Sequence, residues 1–165
     1  APVRLLAEDL LHELLHGRLH RLTLALFDAQ DFDAVLRTLR SDLQAHFQAD
    51  AVALRVVAAE ELQRPQDPAR ASGALLLREL VATGQPRCGP LGPAELAYFF
   101  DGEAGDSHSV ALIPLVGPCL TGALAIGSRD PERFHPGKAT DFLVRLGEVV
   151  AKTVQAVAPR GAAGG

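Results

Sequence analysis

The chain is 165 residues long, 48% hydrophobic, 22% charged and 5% aromatic, with no tryptophan and a formal net charge of −4. That is the size of one globular domain with an aliphatic core. The composition excludes the basic footprint of a nucleic-acid binder, and no apolar run reaches the length of a membrane-spanning helix.

The first predicted element is a helix over residues 3–27. Leu11, Leu15, Leu19, Leu22 and Leu26 form a stripe close to a heptad seam, widened by Leu6, Leu10 and Leu14. So leucine-rich a helix at a chain end predicts a partner helix from a second subunit. Gly17 weakens it locally, by about 1 kcal/mol relative to Ala. His12, His16 and His20 recur every fourth residue, a spacing able to chelate zinc. No cysteine or carboxylate is placed to complete such a site, so the three read as the polar flank of the seam and no metal is expected.

Asp31 is the N-cap of a second helix reaching about Phe47, with Phe32, Val35, Leu36, Leu39, Leu43 and Phe47 as its buried stripe. A turn at 48–50 leads into a strand over 51–57, where Val52, Leu54 and Val56 alternate with Ala53 and Arg55. Residues 60–72 contain Pro65 and Pro68 and are predicted as loop. A short helix over 75–81 is stopped by Gly84. Residues 85–91, punctuated by Pro86 and Pro90, can form at most a short edge strand. Pro93 opens another helix ending in Tyr98, Phe99 and Phe100, three consecutive aromatics that cannot all face one way. Residues 101–106 (DGEAGD) form an acidic loop.

Two β-rich runs, 108–116 and 121–128, are joined by four residues that include Gly117 and Pro118, which predicts an antiparallel hairpin. Leu124 and Ile126 fall on one face, Ala123, Ala125 and Gly127 on the other. The large residues should meet packed helices. The small ones leave space that is either filled by other side chains or open to a ligand. Pro114 cannot donate to a ladder and predicts a bulge or an unpaired edge. From Pro136, suited to a first helical position, the period becomes helical, with Phe142, Leu146, Val149, Val150, Thr153 and Val157 as the apolar stripe. Pro159 and the glycines after it end the helix, and residues 159–165 read as a disordered tail.

The order of these elements carries a resemblance. S-x-x-L-I-P-L from Ser109 to Leu115, G-A-L-A-I-G-S from Gly122 to Ser128, R-F-x-P from Arg133 to Pro136, and F-L-x-x-L-x-x-x-V from Phe142 to Val150 resemble the C-terminal half of a GAF domain. With H-R-L-T-L-A-L at 20–26 and D-A-V-A-L-R at 50–55, the chain is similar to a proteobacterial GAF-like family of unknown function. The resemblance is strongest over the last third and thinnest between residues 58 and 105. It implies an α+β, GAF-like (PAS-like) domain over residues 28–158, preceded by the leucine-rich helix over 1–27. Its central antiparallel sheet, of five or six strands, would carry the terminal helices on one face and short helices and loops on the other.

A GAF fold keeps its ligand, when it has one, between the sheet and the middle section of the chain, here residues 75–109. Arg87, Tyr98, Phe99, Phe100, His108 and Ser109 are the cationic, aromatic and hydrogen-bonding residues there that could grip a small molecule. The competing reading is that Phe99 and Phe100 plug the space themselves and that His108 is a satisfied strand-end residue. No phosphate loop, nucleophile elbow, C-x-x-C or H-E-x-x-H is present, and the cyclic-nucleotide and bilin-attachment signatures of GAF domains are missing. The expectation is a non-enzymatic sensory or regulatory domain, without cofactor, dimeric through its terminal helices and binding a small molecule or a protein partner.

One alternative is a thiol-dependent enzyme akin to free methionine sulfoxide reductase, using Cys88 and Cys119, although the sequences around both depart from that family's motif. Another is a structural interaction domain with a filled pocket. Two cysteines without a signal-peptide pattern point to a reducing, cytoplasmic setting, and an opening Ala1 in place of Met is what a piece of a longer protein would show.

Overall fold

A computed structural model describes residues 17–47, 49–101, 107–118, 120–134 and 141–157. Helix α1 runs over 17–27 and α2 over Phe32–Phe47, followed by strand β1 at Ala51–Ala58 and a 3-10 turn at Glu61–Gln63. Helix α3 spans Pro68–Thr83, β2 Arg87–Gly89, α4 Pro93–Phe100, β3 Ser109–Val116, β4 Leu120–Ser128 and α5 Asp141–Val157. The strands form one antiparallel sheet in the order β1-β4-β3-β2.

Period-two alternation divides this sheet into two unlike faces. The cross-strand row Leu54–Leu124–Ile113 points to one side and the row Ala53–Ala125–Leu112 to the other. Against the first lie α1, α2 and α5, contributing Leu19, Leu22, Leu26, Val35, Leu39, Leu43, Leu146 and Val150 to one core with Val52, Leu124 and Ile126. Against the second lie α3 and α4, with Leu77, Leu80, Tyr98, Phe99 and Phe100 over Ala51, Ala53, Ala123 and Ala125. Bulky aromatics on the helices and alanines on the strands are complementary. The expected layering, terminal helices on one face and shorter elements on the other, is therefore present.

The Asp31 cap is present too: its Oδ1 accepts from the Ala34 N–H at 2.8 Å. Asp31→Ala is expected to lower stability by about 1 kcal/mol, read from the midpoint of urea unfolding. Gly84 ends α3 in the left-handed region, φ 66°, with its N–H donating to the Leu80 carbonyl at 3.0 Å.

Several expectations are corrected. The sheet has four strands among the described residues, not five or six. Of residues 60–72 only 64–67 are loop between helical elements: Leu62 is buried in the 3-10 turn, and Pro68 opens a helix of 16 residues where only a short one over 75–81 was expected. A proline in the first turn surrenders an N–H that has no helical partner anyway, so it marks a start here and not a break. No bulge forms at Pro114, which keeps register with Ala123; β2 stops opposite Leu112, so it is on the β2 side that β3 runs on without a ladder partner. Three consecutive residues cannot all face one way, yet Tyr98, Phe99 and Phe100 are all buried, because α4 is wedged between α3 and β1.

The buried face of α5 is also rolled from the expected stripe. Leu143, Leu146, Val150, Ala151 and Val154 are buried, whereas Phe142, Val149 and Val157 sit at the margin and Thr153 turns its hydroxyl back onto the Val149 carbonyl at 2.8 Å. Gly147 explains the roll: a Cβ there would come within 2.6 Å of Ile113 Cγ2, so the helix presents its glycine side to β3 and approaches closely. The leucines expected before residue 17, with Pro136, Pro159 and the tail, lie outside the described residues.

Candidate functional site

The α3–α4 side of the sheet holds the charged residues with the least accounted-for surroundings. Arg55 is the one charged residue in the strand AVALRVVA, and alternation sends it to the same face as Ala51 and Ala53. There its guanidinium carbon stands 4.5 Å from the centroid of the Tyr98 ring. Arg70, in the first turn of α3, stands 5.6 Å from the same centroid. Two cations thus share one aromatic quadrupole, a contact worth about 0.5–2 kcal/mol each but one that cancels no charge. Neither has a carboxylate partner among the described residues, and the Nε of Arg55 is buried without a hydrogen bond.

Beside this cluster, at the outer edge of β1, is a cavity of about 220 Å³. Arg55, Ala53 and Leu54 of β1 line it, with Leu36 and Arg40 of α2 and the α4 end at Phe99, Phe100 and Asp101. Arg40 Nε donates to the Val52 carbonyl at 3.2 Å, so α2 covers part of an edge strand that would otherwise present bare backbone. Asp101 closes α4 in the left-handed region, φ 52°, its N–H donating to the Ala97 carbonyl at 2.9 Å. The result is a small recess with aromatic walls, guanidinium groups and a carboxylate at its rim.

Of the residues singled out in the sequence, Tyr98, Phe99 and Phe100 are brought together here, each at least 93% buried. The others are not part of the group. Arg87 lies on β2 at the opposite edge of the sheet, 3.7 Å from Glu79 in a mostly exposed pair that contributes little. His108 is exposed, its N–H donating to the Ser128 carbonyl. Ser109 is buried, but its hydroxyl is spent internally: it donates to the Asp130 carbonyl at 2.6 Å and accepts from the Phe134 N–H at 3.2 Å, pinning the turn after β4.

Arg55 had a legible signal, a lone charge in an apolar strand. Arg70 has none, because Pro65 and Pro68 give its helix start the pattern of a loop. His20 is exposed on α1, and the two histidines that would join it lie outside the described residues, among which no group of three metal-ligating side chains occurs. Cys88 is buried in the core that α1, α2 and α5 form with the sheet; Cys119 lies outside the described residues.

The sequence matches a family described as "Protein of unknown function, DUF484" over residues 11–158. No curated protein matches. Among solved structures, the chain is similar to the chromophore-binding domain of the bacteriophytochrome RpBphP3 from R. palustris, at 14% identity and TM-score 0.61, covering 88% of this chain and 62% of that one. It is similar to the GAF domain of a phosphoenolpyruvate-protein phosphotransferase (ptsP) from Coxiella burnetii, at 19% identity and TM-score 0.60, over 90% and 96% of the two chains. It is also similar to free methionine-R-sulfoxide reductase from Neisseria meningitidis, solved with its substrate, at 19% identity and TM-score 0.58, over 91% and 92%. At these identities the likeness carries the fold, which is that of a GAF domain.

Proposed function

The chain belongs to the DUF484 family of proteins of unknown function, and from that premise we propose that it is a non-enzymatic sensory or regulatory domain, dimeric through its terminal helices, that responds to a small molecule on its α3–α4 side. The observation that carries this reading is the single sheet shared by two layers. Neighbouring residues of one strand, Leu124 and Ala125, belong to different cores. A molecule seated beside Phe99 and Phe100 would press on β1 and β4, and packed α1, α2 and α5 answer such pressure by moving as bodies, not by deforming. Two of the similar structures are described by a small molecule they hold, a chromophore and a substrate. Burial of Cys88 supports the non-enzymatic reading over a thiol enzyme, since a reactive thiol needs access. A cytoplasmic setting belongs to the same reading; no helix among the described residues is long and apolar enough to cross a membrane.

The dimer part rests on α1. Leu19, Leu22 and Leu26 of the expected seam are buried within this chain, so a second copy would use other residues. Leu24 and Phe27 remain 52% and 78% exposed, and a groove between α1 and α2 is lined by small side chains such as Ala25, Ala29 and Ala34, with the charged Asp28, Arg37 and Asp42 among them. Sedimentation velocity at micromolar concentration is expected to show a dimer, and the double variant Leu24→Glu with Phe27→Glu a monomer; a monomeric parent protein rejects this part. Thermal shift against nucleotides, amino acids and small acids tests the sensory part. A ligand at a hundred times its dissociation constant adds about 2.7 kcal/mol, and silence from every class would favour a structural domain with a filled pocket.

A further inference from the structure

We propose that Arg55 holds the carboxylate of a small molecule of amino-acid size in the cavity at the outer edge of β1, with Asp101 receiving the ammonium group of the same ligand. The inference deepens the regulatory reading, on which it rests.

Arg55 carries unmet donors. A guanidinium stacked on an aromatic ring has only its face occupied; its N–H groups lie in the plane, at the edge. Tyr98 takes the face of Arg55, its Nε is enclosed without an acceptor, and no hydrogen bond or ion pair among the described residues engages its terminal N–H groups, the ones a ligand in the recess can reach. Unpaired donors on a charged group hold an anionic acceptor more strongly than neutral donors do. The protein does not supply one: of 20 acidic residues in the chain, none among those described forms an ion pair with Arg55 or with Arg70. Arg70, on the same ring, adds positive potential instead of offsetting it.

Size and charge then narrow the occupant. At about 220 Å³ the cavity is smaller than the roughly 300–1,000 Å³ of pockets that enclose drug-sized ligands, so it suits a few heavy atoms and not a nucleotide. Its walls at Ala53, Leu54, Phe99 and Phe100 are apolar. Asp101 lines the same recess, and it too makes no ion pair among the described residues. Two guanidinium groups, Arg40 and Arg55, and one carboxylate, Asp101, border one small cavity, and no ion pair joins Arg55 to Asp101. A zwitterion carries the complementary pair at short spacing, whereas phosphate would meet Arg55 favourably and Asp101 unfavourably.

Tyr98 makes the test direct. It is the only tyrosine and there is no tryptophan, so intrinsic tyrosine emission reports on the ring that stacks with Arg55. The protein is titrated, at constant ionic strength, with each non-aromatic amino acid, with propionate and succinate, and with inorganic phosphate. At least one amino acid is expected to change the emission saturably. Arg55→Gln should weaken that response roughly tenfold to a hundredfold, the worth of a hydrogen bond to a charged group. Asp101→Asn should weaken it for amino acids but not for propionate, and Arg87→Gln, at the far edge of the sheet, should leave it unchanged. Should Arg55→Gln fail to fold, Arg55→Lys, which keeps the charge and loses the planar fork, takes its place with a smaller loss in the same direction.

Equal responses to amino acids and propionate, indifferent to Asp101→Asn, would keep the carboxylate role and overturn the ammonium one. A response to phosphate alone overturns the carboxylate assignment. No response to any probe, or one indifferent to Arg55, overturns the proposal. If these probes fail while another ligand class stabilises the protein in the thermal screen, the inference falls and the regulatory reading survives; if every class fails, both fall.

Discussion

Phe99→Ala is expected to lose about 3–5 kcal/mol of stability, the range for deleting a fully buried aromatic whose surroundings cannot collapse. Phe99 is 2% exposed and meets Tyr98 edge to face, with ring centroids 5.1 Å apart and an interplanar angle of 84°. On β1 and β4 the buried residues of that face are alanines, which have no rotamers with which to fill the void. Urea unfolding decides between the two readings of this aromatic. If Phe99 were only a removable wall of an open pocket, its truncation would cost less than about 1 kcal/mol. A full loss says that the phenyl group is core, and that any ligand space is limited to the recess beside it.

Gly122→Ala should be nearly as damaging, about 3 kcal/mol, for a different reason. Gly122 sits between β1 and β3, opposite Val56 and Leu115. A Cβ there would overlap the Arg55 carbonyl oxygen and lie 2.9 Å from Val56 Cα. Both obstacles are backbone, so no side-chain rotation relieves them, and β1 must shift away from β4. Gly117→Ala is the matched control. Its Cβ would collide with Gln155, a flexible side chain that can swing aside for the loss of its hydrogen bond to the Leu120 carbonyl, a change of about 1 kcal/mol. Equal losses in the two variants would show that β1 tolerates the shift. Because Arg55 is the residue displaced, any folded Gly122→Ala protein should also lose the Tyr98 response to amino acids.

These effects also show where a linear reading succeeds. The alternation of Leu124 and Ile126 with Ala123 and Ala125 is enough to assign two faces, and the Asp31 cap with its apolar stripe is enough to place α2, because both patterns depend only on the geometry of the chain's own backbone. The same local logic misjudged residues 60–72. Two prolines look alike in sequence, and whether Pro68 breaks a helix or begins one depends on the helix that follows having a sheet to pack upon. The roll of α5 is of this kind as well: more of its apolar residues could face inward than the five that do, and the selection follows from how closely Gly147 can approach Ile113.

Alone, then, the order of amino acids determined the GAF architecture, the two-sided sheet and the presence of three aromatics in the space above its alanines. Tertiary structure decided that those aromatics are buried over those alanines, that Arg87, His108 and Ser109 stand apart from them, and that Arg55 and Arg70 converge on Tyr98 from a strand and a helix distant in the chain. Periodicity records which way a side chain leaves its own element. What it meets there is set by the distance and angle between layers, and these are properties of the assembled core.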